Sequence, residues 1–222
     1  MTTSQAATHW HHFDDLEHQQ RTTLFGMWIF LATEILIFGG IFTSYTVYRV
    51  SYVAAFEAAS LHLNLWIGAI NTLVLLTSSL TMVLAIDAIQ RGRSRECAQQ
   101  LVLTAALGLV FLGLKALEYY LDYRENLVPG FAFDPAEWSA LGVRPEHVQI
   151  FFVFYYFLTG LHAIHLLIGI SVVLVIAWFA HRGRFSPEYH APIESWGLYW
   201  HFVDVVWVFL LPLLYLIAIR VG

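Results

Sequence analysis

The chain has 222 residues, of which 59% are hydrophobic and 12% charged, with a formal net charge of -5 and a mean hydropathy of +0.64. That balance excludes an ordinary soluble domain and describes an integral membrane protein. A single cysteine, Cys97, rules out an intrachain disulfide or a cysteine metal cluster, and the small net charge argues against nucleic acid as a partner.

Residues 1–23 read as a polar tail without the basic, apolar and small-residue succession of a signal peptide. His9, His11 and His12 surround Trp10 there, a composition that can bind a metal but more often marks a solvated or interface-lying segment. From 24 to 220 the sequence predicts one all-α domain, a polytopic bundle of five transmembrane helices at 24–47, 63–86, 98–121, 148–180 and 196–220. Each window meets the roughly 20 apolar residues that a bilayer crossing needs.

The first span carries Glu34 in L-A-T-E-I-L-I-F-G-G, about 15 Å along the helix from the first apolar residue. A carboxyl at that depth either hydrogen-bonds a neighbouring helix or serves a proton-linked site. In the second span Asn71, Thr72, Thr77, Ser78, Ser79 and Thr81 permit close helix approach and bonding across an interface. A basic loop, Q-R-G-R-S-R-E, follows it. The third span places Lys115 and Glu118 three residues apart on one face, which predicts an ion pair near the interface with Lys115 reaching outward to water. Tyr119, Tyr120 and Tyr123 suit an aromatic belt. The outer loop 122–147, with Pro129, Gly130, Pro135, Gly142 and Pro145, is long enough to form a folded cap.

The fourth span contains His162 and His165 in T-G-L-H-A-I-H, flanked by Gly160 and Gly169, which allow another backbone to come near. Intramembrane histidines raise haem or zinc. A bis-His haem draws its ligands from two helices and a zinc site needs three or four, so His201 would have to contribute; a hydrogen-bonded pair of core histidines is the simpler expectation. Arg182 and Arg184 then form a second basic loop, suited to anionic lipid headgroups or to a topology signal. The last span, W-G-L-Y-W-H-F-V-D-V-V-W-V-F-L-L-P, places Trp196, Trp200, Asp204, Trp207 and Leu211 on one stripe with His201 on its flank. That polar pair requires a partner helix, and Glu34 and the His162/His165 turn are the candidates. Pro212 cannot donate to the carbonyl of Val208.

With five spans, Arg21, Arg91, Arg93, Arg95, Arg182 and Arg184 share one side of the membrane, against Arg49, Arg124, Arg144 and Arg220 on the other. The positive-inside rule puts the N-terminus in the cytoplasm and the C-terminus outside.

In this order L-A-T-E-I-L-I-F-G-G, I-N-T-L-V-L-L-T-S-S, L-K-A-L-E-Y-Y, T-G-L-H-A-I-H and E-S-W-G-L-Y-W-H-F-V-D-V-V-W resemble subunit III of the haem-copper respiratory oxidases, over nearly everything from Gly26 to Tyr215. The resemblance implies a non-catalytic core subunit of a proton-pumping terminal oxidase in a bacterial cytoplasmic membrane. That subunit braces the catalytic subunit, holds phospholipid and supports proton uptake. It implies no cofactor in this chain, with haem and copper in subunits I and II. Glu34 matches the family's carbodiimide-reactive glutamate, and His162, His165 and His201 match positions that are not haem ligands. Many members carry two further spans at the start; in the shorter bacterial forms a small subunit or an extended subunit I replaces them. Cytochrome c is the expected electron donor, with a quinol oxidase or a nitric-oxide-reductase-associated homologue as alternatives. From other classes, a membrane cytochrome would use the histidines as axial ligands, and a proton-coupled transporter would use Glu34 and Asp204, although no inverted repeat is visible.

Overall fold

The computed structural model describes residues 16–130 and 132–216; His9, His11, His12 and Arg220 lie outside the described residues. The elements in chain order are α1 (Leu16–Ser51), α2 (Val53–Ser60), α3 (Leu65–Gln90), α4 (Ser94–Arg124), β1 (Leu127–Val128), β2 (Ala132–Phe133), α5 (Pro135–Ala140), α6 (Pro145–His181) and α7 (Ala191–Tyr215). Among the described residues five helices are long and apolar enough to cross a membrane. α1, α4 and α6 extend past their apolar windows at both ends, while α3 begins two residues inside its window. Asn64 opens α3 by accepting from the backbone of Trp66 at 3.1 Å and Ile67 at 3.2 Å. Pro145 and Pro192 stand in the first turns of α6 and α7, where a missing N–H costs no helical bond.

The tripeptide R-G-R ends both α3 and α6 by one mechanism. Gly92 and Gly183 take positive φ, 75° and 69°, which a side chain would strain. Arg93 N–H then reaches Ala88 O at 2.8 Å and Arg184 N–H reaches Phe179 O at 3.1 Å, the six-to-one bond of a Schellman stop. The two basic loops meet: Ser94 Oγ donates to Phe185 O at 3.5 Å.

α3, α4, α6 and α7 form a closed ring in which each helix packs on the two beside it, every neighbour antiparallel. α1 stands outside the ring against α7 and touches α6 lightly. Only 17% of the apolar stretch of α1 is buried, against 50% for α7. The connection 52–64 contains α2, a short helix with no counterpart in the sequence reading, whose buried Phe56 meets Tyr45 and Phe151. Within the long loop, β1 pairs antiparallel with β2, and α5 drives Trp138 into full burial against Phe133, Phe152 and His62.

Helices approach closely around Trp200. A Cβ at Gly108 would lie 3.0 Å from the Trp200 ring and from Ile170 Cδ1, and one at Gly169 would lie 3.2 Å from Tyr199 and 3.3 Å from Trp200. Gly160 has nothing within 4 Å of such an atom, so its place in the fourth span is not a helix contact; it faces away from α4 and α7. Accordingly, Gly108→Leu and Gly169→Leu overpack a rigid indole and lower stability by about 1–3 kcal/mol or more, whereas Gly160→Leu is tolerated. Thermal unfolding of the three detergent-purified variants checks the order.

Candidate functional site

The Ser/Thr run of α3 is spent on α7 and α4. Trp200 Nε1 donates to Ser78 Oγ at 3.1 Å, Trp207 Nε1 donates to Thr72 Oγ1 at 3.1 Å, and Ser79 Oγ meets His201 Nδ1 at 2.6 Å. The Thr81 and Thr104 hydroxyls meet at 2.7 Å between α3 and α4. The stripe Trp200, Asp204, Trp207 is therefore the α3–α7 seam. His201 takes its partner from α3, not from Glu34 or the fourth span, because its face of α7 turns toward Ser79. Asp204 is 4% exposed with Ser79 beside it, yet neither carboxyl oxygen is in hydrogen-bond geometry with a described group.

Glu34 and His165 come together instead. Glu34 Oε2 lies 3.1 Å from His165 Nε2, joining α1 to α6. The other ring nitrogen, Nδ1, is 2.8 Å from Leu161 O. A carbonyl only accepts, so Nδ1 carries a proton and donates it. The Nε2–Oε2 contact then holds one further proton, either on a carboxylic acid that donates to a neutral ring or on an imidazolium that donates to a carboxylate. Both forms are net neutral. Tyr199 Oη donates to His165 O at 2.9 Å and ties the same turn to α7.

His162, one turn away, is not bonded to His165. It is 1% exposed, with its ring 5.4 Å from that of Phe111 and 5.3 Å from Trp207, and neither nitrogen has a hydrogen-bond partner among the described residues. The three histidines thus face three different neighbours, and no group of three potential metal ligands gathers among the described residues.

The most connected polar centre is Lys115. It does not reach out to water: the residue is 4% exposed, turned inward about 13 Å of helix rise short of Arg124. Its ammonium donates to Glu118 Oε2 at 2.9 Å, Tyr215 Oη at 2.9 Å and Tyr155 Oη at 3.2 Å, which uses all its protons. Tyr215 in turn donates to Glu118 Oε1 at 2.7 Å. Tyr119, Tyr155, Trp207 and Tyr215 present rings to the cation at 4.9–5.7 Å from their centroids. Asp122, buried one turn beyond Glu118, is faced by Tyr156 Oη at 3.5 Å.

Tyr155 and Tyr215 carry this centre and were not singled out by sequence. The signal available was the seven-residue step from Tyr155 to His162, which places both on one face of the fourth span. Tyr45, whose hydroxyl donates to Leu213 O at 2.8 Å and so links α1 to the end of α7, gave no signal.

In the basic loops Arg182 lies over the Trp178 ring at 4.0 Å and Arg184 over Phe179 at 4.8 Å. Outside the membrane spans, the Ser186 hydroxyl beside Glu188 holds that carboxyl below the usual range.

A buried ion pair that loses one partner leaves an uncompensated charge. Lys115→Met should therefore lower stability by about 3–5 kcal/mol, and Lys115→Met combined with Glu118→Met should recover most of the loss. A double-mutant cycle in thermal unfolding midpoints reads this directly.

The model of the family described as cytochrome c oxidase subunit III matches residues 4–124 and 147–219. Cytochrome c oxidase subunit 3 of Thermostichus vulcanus is 31% identical over 217 residues, covering 97% of this chain and 94% of the relative. That of Alkalihalophilus pseudofirmus is 30% identical, over 91% of this chain and 93% of its own length. A probable cytochrome c oxidase subunit 3 from Rickettsia conorii is 32% identical over 90% of this chain, which spans 71% of that longer relative.

Proposed function

The chain belongs to the cytochrome c oxidase subunit III family, and from that premise we propose that it is a non-catalytic core subunit of a bacterial haem-copper oxidase that takes electrons from cytochrome c. The observation that carries the reading is the extent of the family match, on both sides of the outer loop and through the whole α3–α7 seam. The names of the relatives favour cytochrome c over quinol as donor. Haem and copper belong to subunits I and II on this reading. This chain supplies a brace against them, a surface for phospholipid, and support for proton uptake.

Three features support those roles. α1 exposes Trp28, Ile29, Leu36, Val47 and Val50, a face suited to a partner subunit's helices, including an extended subunit I or a small subunit. Glu34 and His165 hold a shared proton on the α1–α6 seam, each side chain slightly exposed at 11% and 13%, which suits a proton-linked group within reach of an apolar reagent. Arg182 and Arg184 stand beside aromatic rings at the membrane edge, where lipid headgroups lie. With the two R-G-R loops in the cytoplasm, the positive-inside rule sets the N-terminus there too and the outer cap on the opposite side of a bacterial cytoplasmic membrane.

The test is purification of the native complex through a tag on this chain, with a reduced-minus-oxidised spectrum and identification of the subunits. Oxidase haem bands and subunits I and II are expected in the complex, and no haem in the isolated chain; haem bound by the isolated chain would sink the reading in favour of a membrane cytochrome. Within the complex, Glu34→Gln should leave assembly intact and abolish carbodiimide labelling of this subunit. Unchanged labelling rejects Glu34 as the reactive group.

A further inference from the structure

The ring and α1 leave open the face of α7 that carries His201. Trp200, Asp204 and Trp207 turn into the ring, and Tyr199 and Phe202 meet Phe30 and Phe38 of α1. His201 stands between these two sectors, half-buried, and shares its stripe with Val205 and Val208, 50% and 44% exposed. Across the seam Ser79 shares a stripe with Leu76 and Val83, 51% and 49% exposed. Ser79 and His201 lie within about 3 Å of the middle of α3 and α7, so in a hydrocarbon layer about 30 Å thick the nearest lipid ester oxygens are on the order of 10 Å away.

Hydrogen bonding at this depth has a direction. Thr72, Thr77 and Ser78 donate to carbonyls of their own helix, whereas Ser79 Oγ meets His201 Nδ1 at 2.6 Å. Both oxygens of Asp204 are enclosed with the Ser79 hydroxyl beside them, and neither is in hydrogen-bond geometry with a described group. A bare carboxylate is costly in hydrocarbon, and the neutral acid is satisfied by turning its O–H to Ser79 Oγ. Ser79 then gives its own proton to Nδ1, and a neutral imidazole that accepts at Nδ1 carries its hydrogen on Nε2. That second nitrogen has no hydrogen-bond partner among the described residues. An N–H on a half-buried side chain at mid-membrane requires an acceptor, and lipid tails have none.

We propose that Asp204, Ser79 and His201 form a directed hydrogen-bond chain that presents the His201 Nε2–H to a transmembrane helix of a partner subunit. That helix carries a side-chain oxygen acceptor (carboxyl, amide or hydroxyl) at the level of His201, and it packs on Leu76, Val83, Val205 and Val208. The contact is separate from the exposed face of α1, which lies against the other side of α7. It rests on the oxidase reading only for the presence of partner subunits in the membrane.

The experiment uses the full chain in its native membrane, with p-benzoylphenylalanine in place of Val205 or, separately, of Leu76, and His201 untouched. Irradiation should crosslink each to another membrane subunit, within one helical turn of an acidic, amide or hydroxyl side chain. Crosslinks to lipid alone, or to a segment without such a side chain, overturn the proposal. In the complex labelled with ¹⁵N-histidine, the ring signals that disappear in His201→Gln should be those of an imidazole protonated on Nε2; protonation on Nδ1 overturns the direction of the chain. His201→Phe should speed loss of this subunit during detergent washing about fivefold, the worth of one intramembrane hydrogen bond, and His201→Gln, which keeps an N–H, should recover most of it. Equal loss in the two variants counts against the N–H. The haem spectrum and subunit set are read on the same samples. Lipid-only crosslinks in a complex with oxidase haem and subunits I and II sink this contact and leave the oxidase reading standing, whereas a crosslinked acceptor-bearing helix in a complex without haem supports the contact and sinks that reading.

Discussion

A lysine ammonium buried between helices in a bilayer has no water to turn to, and the structure around Lys115 is what that constraint requires. Each of its three protons has an acceptor, and those acceptors come from the helix of Lys115 itself, from α6 through Tyr155 and from α7 through Tyr215. A rotation of any one of the three helices would remove an acceptor from a charge that cannot be left bare. The Tyr215 hydroxyl closes the arrangement by donating to Glu118, so the counter-ion is satisfied by the same helix that satisfies the cation. The register of α4, α6 and α7 is set here.

Trp207 carries that constraint onward to α3. Its ring lies against the Lys115 cation, against Phe111 and against His162, while its Nε1 donates to Thr72. Seven residues earlier Trp200 repeats the device with Ser78, its indole held between Gly108 and Gly169. Lipid tails are as apolar as leucine, so helices in a membrane gain little from apolarity alone and associate through close packing and interhelical hydrogen bonds. The tryptophan stripe of the last span provides both: flat surface against glycine and an N–H for a small hydroxyl.

The spans were legible because a bilayer imposes a length, and the ends of α3 and α6 were marked by R-G-R. Which face of a helix is polar was also legible, from the spacing of Lys115 with Glu118 or of His201 with Asp204. The neighbour each face meets was not, since periodicity along one helix carries no information about the azimuth of the next. Periodicity alone therefore matches His201 with Glu34 and the fourth span while its partner is Ser79, and His162 and His165, three residues apart, face Trp207 and Glu34. The distance of Lys115 from the helix end permits it to reach outward; the tyrosines that hold it inward lie 40 and 100 residues away along the chain. Gly160 and Gly169 looked equivalent for the same reason, and only Gly169 meets α7.

α1 differs from the ring in what secures it. Its polar links to the ring include Tyr45 with the carbonyl of Leu213, near the end of the span, and Glu34 with His165, at its middle, with Phe38 against the rings of His165 and Phe202 between them. An ionised carboxylate on so exposed a helix would have to be solvated by lipid, at a cost of several kcal/mol. Sharing a proton with His165 removes that cost without fixing the proton's position, because the acid–imidazole and carboxylate–imidazolium forms present the same net charge to the surrounding hydrocarbon. The Leu161 carbonyl makes this possible by holding Nδ1 protonated in both. A backbone acceptor one turn earlier in α6 thus decides which nitrogen of the His165 ring faces Glu34 across the seam between α1 and the ring.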